Sequence, residues 1–320
     1  MRPALPTVLA LSLFLALPAH ADEDAPAEKP ASESTAAQAL PRVPLEERSQ
    51  DNAQGLERQL PGNEQQMLQA GDEPFLALWK PANAPKAKGL VILLPGADES
   101  ADWPRAIQPL RLKLPDAGWS TLSLSLPDPA SAPLPPAILP RPPEAASPAA
   151  DKPAATDTAD TDAGTANPDE KPAPETATAE PVDPSLRVFA HIQAGIEFAE
   201  QQDAGNIVLL GHGTGAYWAA LYLKERKPEP IRRLVTVAAQ LPAGQTPALD
   251  ELIPGLKLAT GDFFYKDLPV ERATALRRKQ ASKRLGHDSY TQIALETLPG
   301  NQPDEQEQLY RRVRGWLDKQ

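Results

Sequence analysis

Apolar and polar residues follow two different periods along the chain, and together they predict alternating strands and helices. Continuous apolar runs of about six residues are typical of strands buried on both faces, whereas apolar residues three and four apart predict helices. Strands are expected at 65–70, 75–80, 89–94, 119–126, 206–210, 231–238, 256–260 and 290–298. Helices are expected at 102–117, 185–201, 216–226, 270–285 and 304–319.

The order of these elements predicts an α/β fold. A β-hairpin around Gly71-Asp72 precedes repeated strand–helix units, which indicates a mostly parallel sheet with helices on both faces. Ligands of such sheets bind at the carboxyl ends of the strands. Those ends are expected at Pro95-Gly96, Leu126, Gly211–Gly215, Ala239 and Gly261-Asp262.

Two segments break this periodicity. Residues 22–60 contain no aromatic side chain, and residues 127–184 contain 15 of the chain's 38 prolines and again no aromatic side chain. Such compositions cannot bury enough apolar surface to offset chain entropy. We therefore expect an N-terminal segment at 22–60 that is disordered or loosely helical, and a disordered insertion, rich in Pro, Ala and acidic residues, at 127–184. Residues 61–126 plus 185–320 would then form a single α/β domain.

The net charge of −11 resides in these two segments, which carry −5 and −8, while residues 1–21 and the expected domain carry +1 each. A chain of this balance is not typical of a nucleic-acid-binding protein. The insertion is either a solvated tether or a peptide ligand for a partner protein with an aromatic groove. The basic helix at 270–285 is either a solvated face or a contact for anionic envelope polymers, lipid headgroups or the acidic insertion.

The first 21 residues are typical of an export leader. Arg2 precedes the apolar run 8–17, which is too short to span a bilayer, and Ala19-His20-Ala21 fits a cleavage site. We expect cleavage after Ala21, a periplasmic location and no integral membrane segment in the mature protein. The chain has no cysteine, and its four histidines lack metal-ligand spacing, so neither a metal nor a cofactor is expected.

One motif bears on chemistry. The strand at 206–210 continues into Gly211-His212-Gly213-Thr214-Gly215 and then into a helix of small and apolar residues. This motif, the run VILLPGAD and the element order resemble the α/β-hydrolase superfamily over about 200 residues. That superfamily places a nucleophile at the tip of a sharp turn flanked by small residues, the nucleophile elbow. With the ending RRVRGWL, the chain also resembles an exported proteobacterial family of unknown function within the superfamily.

The chain departs from what this resemblance implies at all three catalytic positions. The nucleophile position falls on Gly213, and the acid position, counted from Gly261, falls on Phe264. Asp262 is a weak acid candidate, and Asp267 lies nearby but out of register. No histidine follows the last strand, where the superfamily places its base. The resemblance therefore implies a degenerate site.

Other side chains leave alternatives open. Thr214 is either a helix cap or a displaced nucleophile, and His212 is either a packing residue or a hydrogen-bonding partner behind the site. His287, beside Asp288, is a helix-end charge or a base. Ser123 and Ser125 lie at a strand end and either face solvent or point into the crevice.

Three functions remain possible on these patterns. The first is a binding or scaffolding role in the cell envelope, without a catalytic triad. Backbone N–H groups near Gly96, Ala97 and Thr214 would then form a nook for a small acyl or anionic ligand. The alternative is an active esterase or acyl hydrolase with a non-standard nucleophile. The third is a tether whose Pro-rich segment docks an envelope protein. The patterns do not predict the oligomeric state.

Overall fold

A computed structural model describes residues 47–128 and 183–319, which contain one sheet of eight strands. The expectations for the leader, for residues 22–46 and for residues 129–182 lie outside the described residues. The strands are β1 (Gln65–Ala70), β2 (Glu73–Lys80), β3 (Gly89–Leu94), β4 (Trp119–Leu124), β5 (Ile207–His212), β6 (Ile231–Val237), β7 (Ala259–Tyr265) and β8 (Tyr290–Leu295).

The strand order is β1-β2-β4-β3-β5-β6-β7-β8. β1 pairs with β2 and β2 with β4 in antiparallel fashion, and all later neighbours are parallel. This arrangement confirms the α/β fold with a mostly parallel sheet and an N-terminal hairpin. Parallel pairing brings the carboxyl ends of β3, β5, β6, β7 and β8 to one edge of the sheet.

Helices cover both faces of the sheet. Alternate side chains of β3 belong to two separate cores, Leu90 and Ile92 to one and Val91 and Leu93 to the other, so every residue of this strand is buried. The helices are α1 (Arg48–Gln59), α2 (Ile107–Lys113), α3 (Pro184–Gln201), α4 (Thr214–Arg226), α5 (Leu249–Gly255), α6 (Pro269–Arg284) and α7 (Gln302–Leu317). α3, α4 and α5 supply the first core, and α2 and α7 supply the second.

The helix α1 is docked on the sheet, whereas the sequence predicted a disordered or loosely helical segment at 22–60. Residues 48–59 of that segment are helical, and a small apolar cluster holds them against the sheet. The cluster consists of Ala53, Leu56 and Leu60 packed against Leu76, Leu78 and Ala101. Three apolar residues in a polar sequence are too weak a pattern to predict a helix, and the docking surface on β2 is far away in the sequence.

Three further elements differ from the sequence prediction, and one of them affects the site. The helix expected at 102–117 is shortened to α2 at both ends, since residues 102–106 are not helical and Pro115 starts a 3₁₀ turn. The helix α5 was not predicted. The strand expected at 256–260 is β7 and runs on to Tyr265. Asp262 therefore lies inside a strand and not beyond its end.

Within the described ranges, no helix has both the length and the apolar character needed to cross a membrane.

Replacing Leu56 with Ser is expected to loosen α1 while leaving the sheet folded, because Leu56 belongs to the small apolar cluster that packs α1 against β2. The loss of a half-buried leucine contact costs about 1 kcal/mol, which corresponds to about fivefold faster local opening. Amide hydrogen exchange should therefore accelerate across 48–59 and stay unchanged in β3 and β5. The matched control is Arg58→Ser, at an exposed position of the same helix. Equal acceleration in β3 would contradict this account of α1.

Candidate functional site

The turn between β5 and α4 has the backbone of a nucleophile elbow. Gly213 adopts φ 55° and ψ −124°, a conformation that residues with a side chain reach only under strain. Its N–H donates to the carbonyl of Val237 at 3.0 Å, and its own carbonyl accepts from the N–H of Gln240 at 3.0 Å. The tip of the turn is thus fixed to β6 and to the loop that follows β6.

The three glycines of the turn are accommodated for different physical reasons. A Cβ on Gly211 would lie 2.4 Å from the backbone of Ala216, and a Cβ on Gly215 would lie 2.4 Å from the carbonyl oxygen of Leu94. These two glycines let α4 pack directly against β5 and β3. A Cβ on Gly213, in contrast, would meet nothing closer than the Cα of Gly96 at 3.8 Å. The tip has space for a nucleophilic side chain, and the sequence does not supply one.

A carboxylate of the chain itself occupies the nook beside the tip. The N–H of Gly96 donates to Oε2 of Glu99 at 2.7 Å, and Nδ1 of His212 lies 2.8 Å from the same oxygen. An ionised carboxylate can only accept hydrogen bonds, so His212 carries its proton on Nδ1. Both side chains are largely buried, with 12 % of Glu99 and 14 % of His212 exposed. His212 is therefore a hydrogen-bonding partner of Glu99.

The structure does bring Gly96, Ala97 and Thr214 together, but it uses the N–H groups of the first two internally. The N–H of Ala97 donates to Oγ1 of Thr214 at 2.6 Å, just as the N–H of Gly96 donates to Glu99. The expectation of an open nook formed by these two N–H groups is not met. Glu99, three residues beyond Gly96, already supplies the carboxylate that such a nook would attract.

Residues at the start of α1 cover this nook. Nη1 of Arg48 lies 3.0 Å from Oδ1 of Asp98, and its Nη2 pairs with Asp128 beyond β4. Asp98 follows the nook in the loop after β3 and adopts a left-handed φ of 67°. The remaining cavity, which Trp218 closes from α4, has a volume of about 20 Å³. This volume suits about one water molecule.

Asp262 has a structural partner in place of a catalytic one. Its carboxylate is fully buried in β7 and accepts two hydrogen bonds of 2.9 Å from Arg278 of α6. Thr236, Tyr290 and Gln292 donate to it as well. Burial, followed by the charge of Asp262, raises the pKa of Tyr290, which therefore remains a donor. Asp262 is thus committed to a buried ion pair, whose disruption leaves an uncompensated charge.

Because β7 ends at Tyr265, the first acidic residue beyond the strand is Asp267. Its Oδ2 accepts from the backbone N–H of Thr297 at 3.1 Å, in the loop after β8. That loop is where the superfamily places its base, and residues 296–301 contain no histidine. Asp267, and not Asp262, therefore lies beyond the end of β7, where the resemblance to the superfamily places the acid.

The other candidates lie away from the elbow. Nε2 of His287 lies 2.7 Å from the carbonyl of Leu258, and Oγ of Ser123 donates to the carbonyl of Ala101 at 2.6 Å. Ser125 lines a different cavity together with His191. Sequence reasoning overlooked His191, because a single histidine on the apolar face of a predicted helix carries no distinguishing pattern.

A larger cavity lies next to the elbow, between the loop after β6 and the start of α6. Its volume is about 600 Å³. Glu271 lines it, accepts from the N–H of Tyr265 at 2.9 Å, and has its pKa raised by burial. Arg277 lies at the same cavity and forms no ion pair among the residues that the structure describes. Apolar side chains provide much of the remaining wall, namely Leu241, Leu249, Leu268 and Val270.

Comparison with solved structures identifies esterase-type α/β-hydrolase folds. A candidate dienelactone hydrolase of Klebsiella pneumoniae superimposes with a TM-score of 0.52 and 13% identity, over 80% of this chain and 98% of its own. Est1E of Butyrivibrio proteoclasticus gives 0.51 and 9% over 80% and 99%. The Pyrococcus furiosus esterase Pf2001 gives 0.52 and 11% over 80% and 90%. At such identities the likeness establishes the fold alone.

A family model described as "Protein of unknown function (DUF3530)" matches residues 5–319. None of the curated proteins matches the sequence.

Alanine substitutions should separate the roles of the glycines. Gly213→Ala is expected to lower the free energy of unfolding by about 1–3 kcal/mol, because it strains the backbone without a clash. Gly211→Ala should lower it further, because its Cβ collides with the backbone of α4. Urea denaturation measures both. Gly315→Ala, in open space on α7, is the control and should be neutral or slightly stabilising. An equal or reversed order of the first two variants would refute this reading of the turn.

Proposed function

The chain belongs to the family of proteins of unknown function DUF3530, and we propose that it is an exported binding protein with an α/β-hydrolase fold and no acyl-enzyme chemistry. The observation that carries the proposal is the elbow itself. Gly213 keeps the backbone conformation and the free space of a nucleophile position, yet it has no side chain. Acyl transfer needs a nucleophile activated by a base, and the residues at the tip of the elbow and in the loop after β8 supply neither.

The position of Glu99 supports the same conclusion. In the superfamily, backbone N–H groups of the loop after β3 help to stabilise the negative oxygen that develops during acyl transfer. Here Glu99 already accepts from the N–H of Gly96 at 2.7 Å. A second negative charge at this place would be repelled by the carboxylate and would find one of its donors in use. The arrangement favours a stable internal contact over oxyanion stabilisation.

The cavity between the loop after β6 and α6 supports a binding role. Its volume of about 600 Å³ lies within the usual range for small-molecule sites, and its walls are largely apolar. Arg277, which lines this cavity together with the carboxyl groups of Asp250 and Glu271, supplies a cation for an acidic headgroup. We infer an acyl-chain ligand with a carboxylate head, which keeps the ligand class expected from the sequence but places it beside the nook and not in it.

The proposals on export and on a protein partner rest on residues that the structure does not describe. The leader-like residues 1–21 support a periplasmic location after cleavage at Ala21, and hence a role in the cell envelope. The acidic, Pro-rich residues 129–182 supply a tether for an envelope protein.

An active esterase with a displaced nucleophile is the competing function. Two hydroxyl groups are its candidates, Thr214 at the start of α4 and Ser125 beyond β4. The hydroxyl oxygen of Thr214 accepts from Ala97, and that of Ser125 has no hydrogen-bond partner within the described residues. Neither residue contacts a histidine ring nitrogen through its hydroxyl group among the described hydrogen bonds, so an activating base is missing for both.

Labelling with a fluorophosphonate probe distinguishes the two functions. We expect the folded wild-type protein to remain unlabelled and to hydrolyse short p-nitrophenyl esters no faster than buffer, because its elbow holds no nucleophile. Mass spectrometry of tryptic peptides locates any label. A label on Thr214 or Ser125 that is lost in Thr214→Val or Ser125→Ala, together with loss of turnover, would overturn the proposal in favour of the esterase.

Binding of dodecanoate tests the cavity. We expect dodecanoate to raise the melting temperature of the wild-type protein, and calorimetry to give about tenfold weaker binding to Thr274→Trp, whose indole fills the cavity. Ala273→Trp is the matched control, because Ala273 is exposed on the same helix and does not line the cavity. Absence of a wild-type shift, or equal weakening in both variants, would contradict an acyl ligand at this place.

A further inference from the structure

A second cavity lies on the other side of the elbow, beneath α1. It has a volume of about 310 Å³, and α1, β2, the end of β4 and α3 form its walls. Phe75, Leu76, Leu126 and Met67 supply apolar surface, and polar side chains interrupt it. This volume reaches the range of small-molecule sites. The proposed acyl-binding site is a different cavity.

Two residues that line this cavity each carry a buried polar atom without a hydrogen-bond partner. Nε2 of His191 and Oγ of Ser125 are both buried and form no hydrogen bond within the described part of the chain. The whole His191 residue is 3 % exposed. A buried polar atom without a partner is costly, by about 1–3 kcal/mol, so such atoms in a cavity indicate that something else satisfies them.

The hydrogen bond on the opposite side of the ring determines what Nε2 can bind. Nδ1 of His191 lies 2.8 Å from the backbone carbonyl of Ser125, and a carbonyl can only accept, so Nδ1 carries the proton. Burial lowers the pKa of His191 and keeps the ring neutral. Its face stacks on Phe75 at a centroid distance of 3.9 Å, which fixes its orientation. Nε2 is therefore a lone pair that accepts a hydrogen bond from a donor group.

The charged groups around the cavity select the charge of the donor. Glu57 and Glu73 line it, and no Lys or Arg is present among the described residues of its wall. Glu73 is paired with Arg187 at 2.9 Å, and Arg187 also pairs with Glu47 at 3.1 Å. These four groups sum to a negative charge, so the surroundings attract a cation.

We propose that this cavity binds a small primary amine with a short apolar body. The ammonium group donates to Nε2 of His191 and to Oγ of Ser125, and it lies in the negative field of Glu57 and Glu73. The apolar body packs against Phe75, Leu76 and Leu126. This site is separate from the acyl-binding cavity, and it stands or falls independently of the proposed function.

Binding of n-hexylammonium, measured by calorimetry on the full chain, tests the proposal, with hexanoate and hexanol as ligands of reversed and absent charge. We expect n-hexylammonium to bind, hexanol to bind less tightly and hexanoate not to bind. In protein labelled with ¹⁵N-histidine, the Nε2 resonance of His191 should shift on addition of the amine, because the lone pair gains a donor.

Variants locate the site. Glu57→Gln should weaken amine binding by about threefold through the loss of an exposed charge. His191→Phe, which keeps a ring against Phe75 and removes the acceptor, should weaken it by about tenfold. Asp51→Asn, on α1 but outside the cavity, is the matched control and should bind like wild type. If His191→Phe fails to fold, Glu57→Gln and the Nε2 resonance still decide. No amine binding, equal hexanoate binding, or an unmoved Nε2 resonance would overturn the proposal.

Discussion

The direct contact of α4 with β3 and β5 is the constraint on which the centre of this molecule depends. Gly215 leaves no space for a side chain against the carbonyl oxygens of Leu94 and Pro95, and Gly211 leaves none against the backbone of Ala216. Only a sharp turn at Gly213 lets the chain pass from the strand to the helix at this distance. The turn therefore persists for packing reasons whether or not the tip carries a nucleophile, which explains how the elbow's backbone and its chemistry are separable.

Glu99 occupies the space beside the elbow. The loop after β3 still presents the N–H groups of Gly96 and Ala97 beside the turn, and backbone donors need acceptors. Glu99 and the hydroxyl of Thr214 provide them, and Arg48 of α1 lines the small remaining cavity together with Glu99. The proposal that acyl transfer is lost rests on these two internal contacts. The proposed binding sites lie in the cavities on either side, one largely apolar with Arg277 and one acidic with His191.

The sequence predicted those parts of the fold that depend on local pattern. The apolar run of β3 and the glycines of the elbow are signals contained in a few consecutive residues, and they led to the α/β fold. Three features escaped because they depend on distant partners. The docking of α1 needs β2, the length of β7 depends on its pairing with β6 and β8, and the role of Glu99 appears only when His212 is brought beside it. His191 escaped for the same reason, since its partner is a backbone carbonyl after β4.

The contact between Glu99 and the N–H of Gly96 is the most direct test of this account. A charge-assisted hydrogen bond moves an amide proton downfield and slows its exchange with solvent, so the Gly96 amide resonance reports on it. We predict a downfield, slowly exchanging Gly96 amide in the wild-type protein that moves upfield and exchanges faster in Glu99→Ala, while the amides of β3 stay unchanged. A Gly96 amide with the same shift and exchange rate in both proteins would contradict the account, because the nook would then be open.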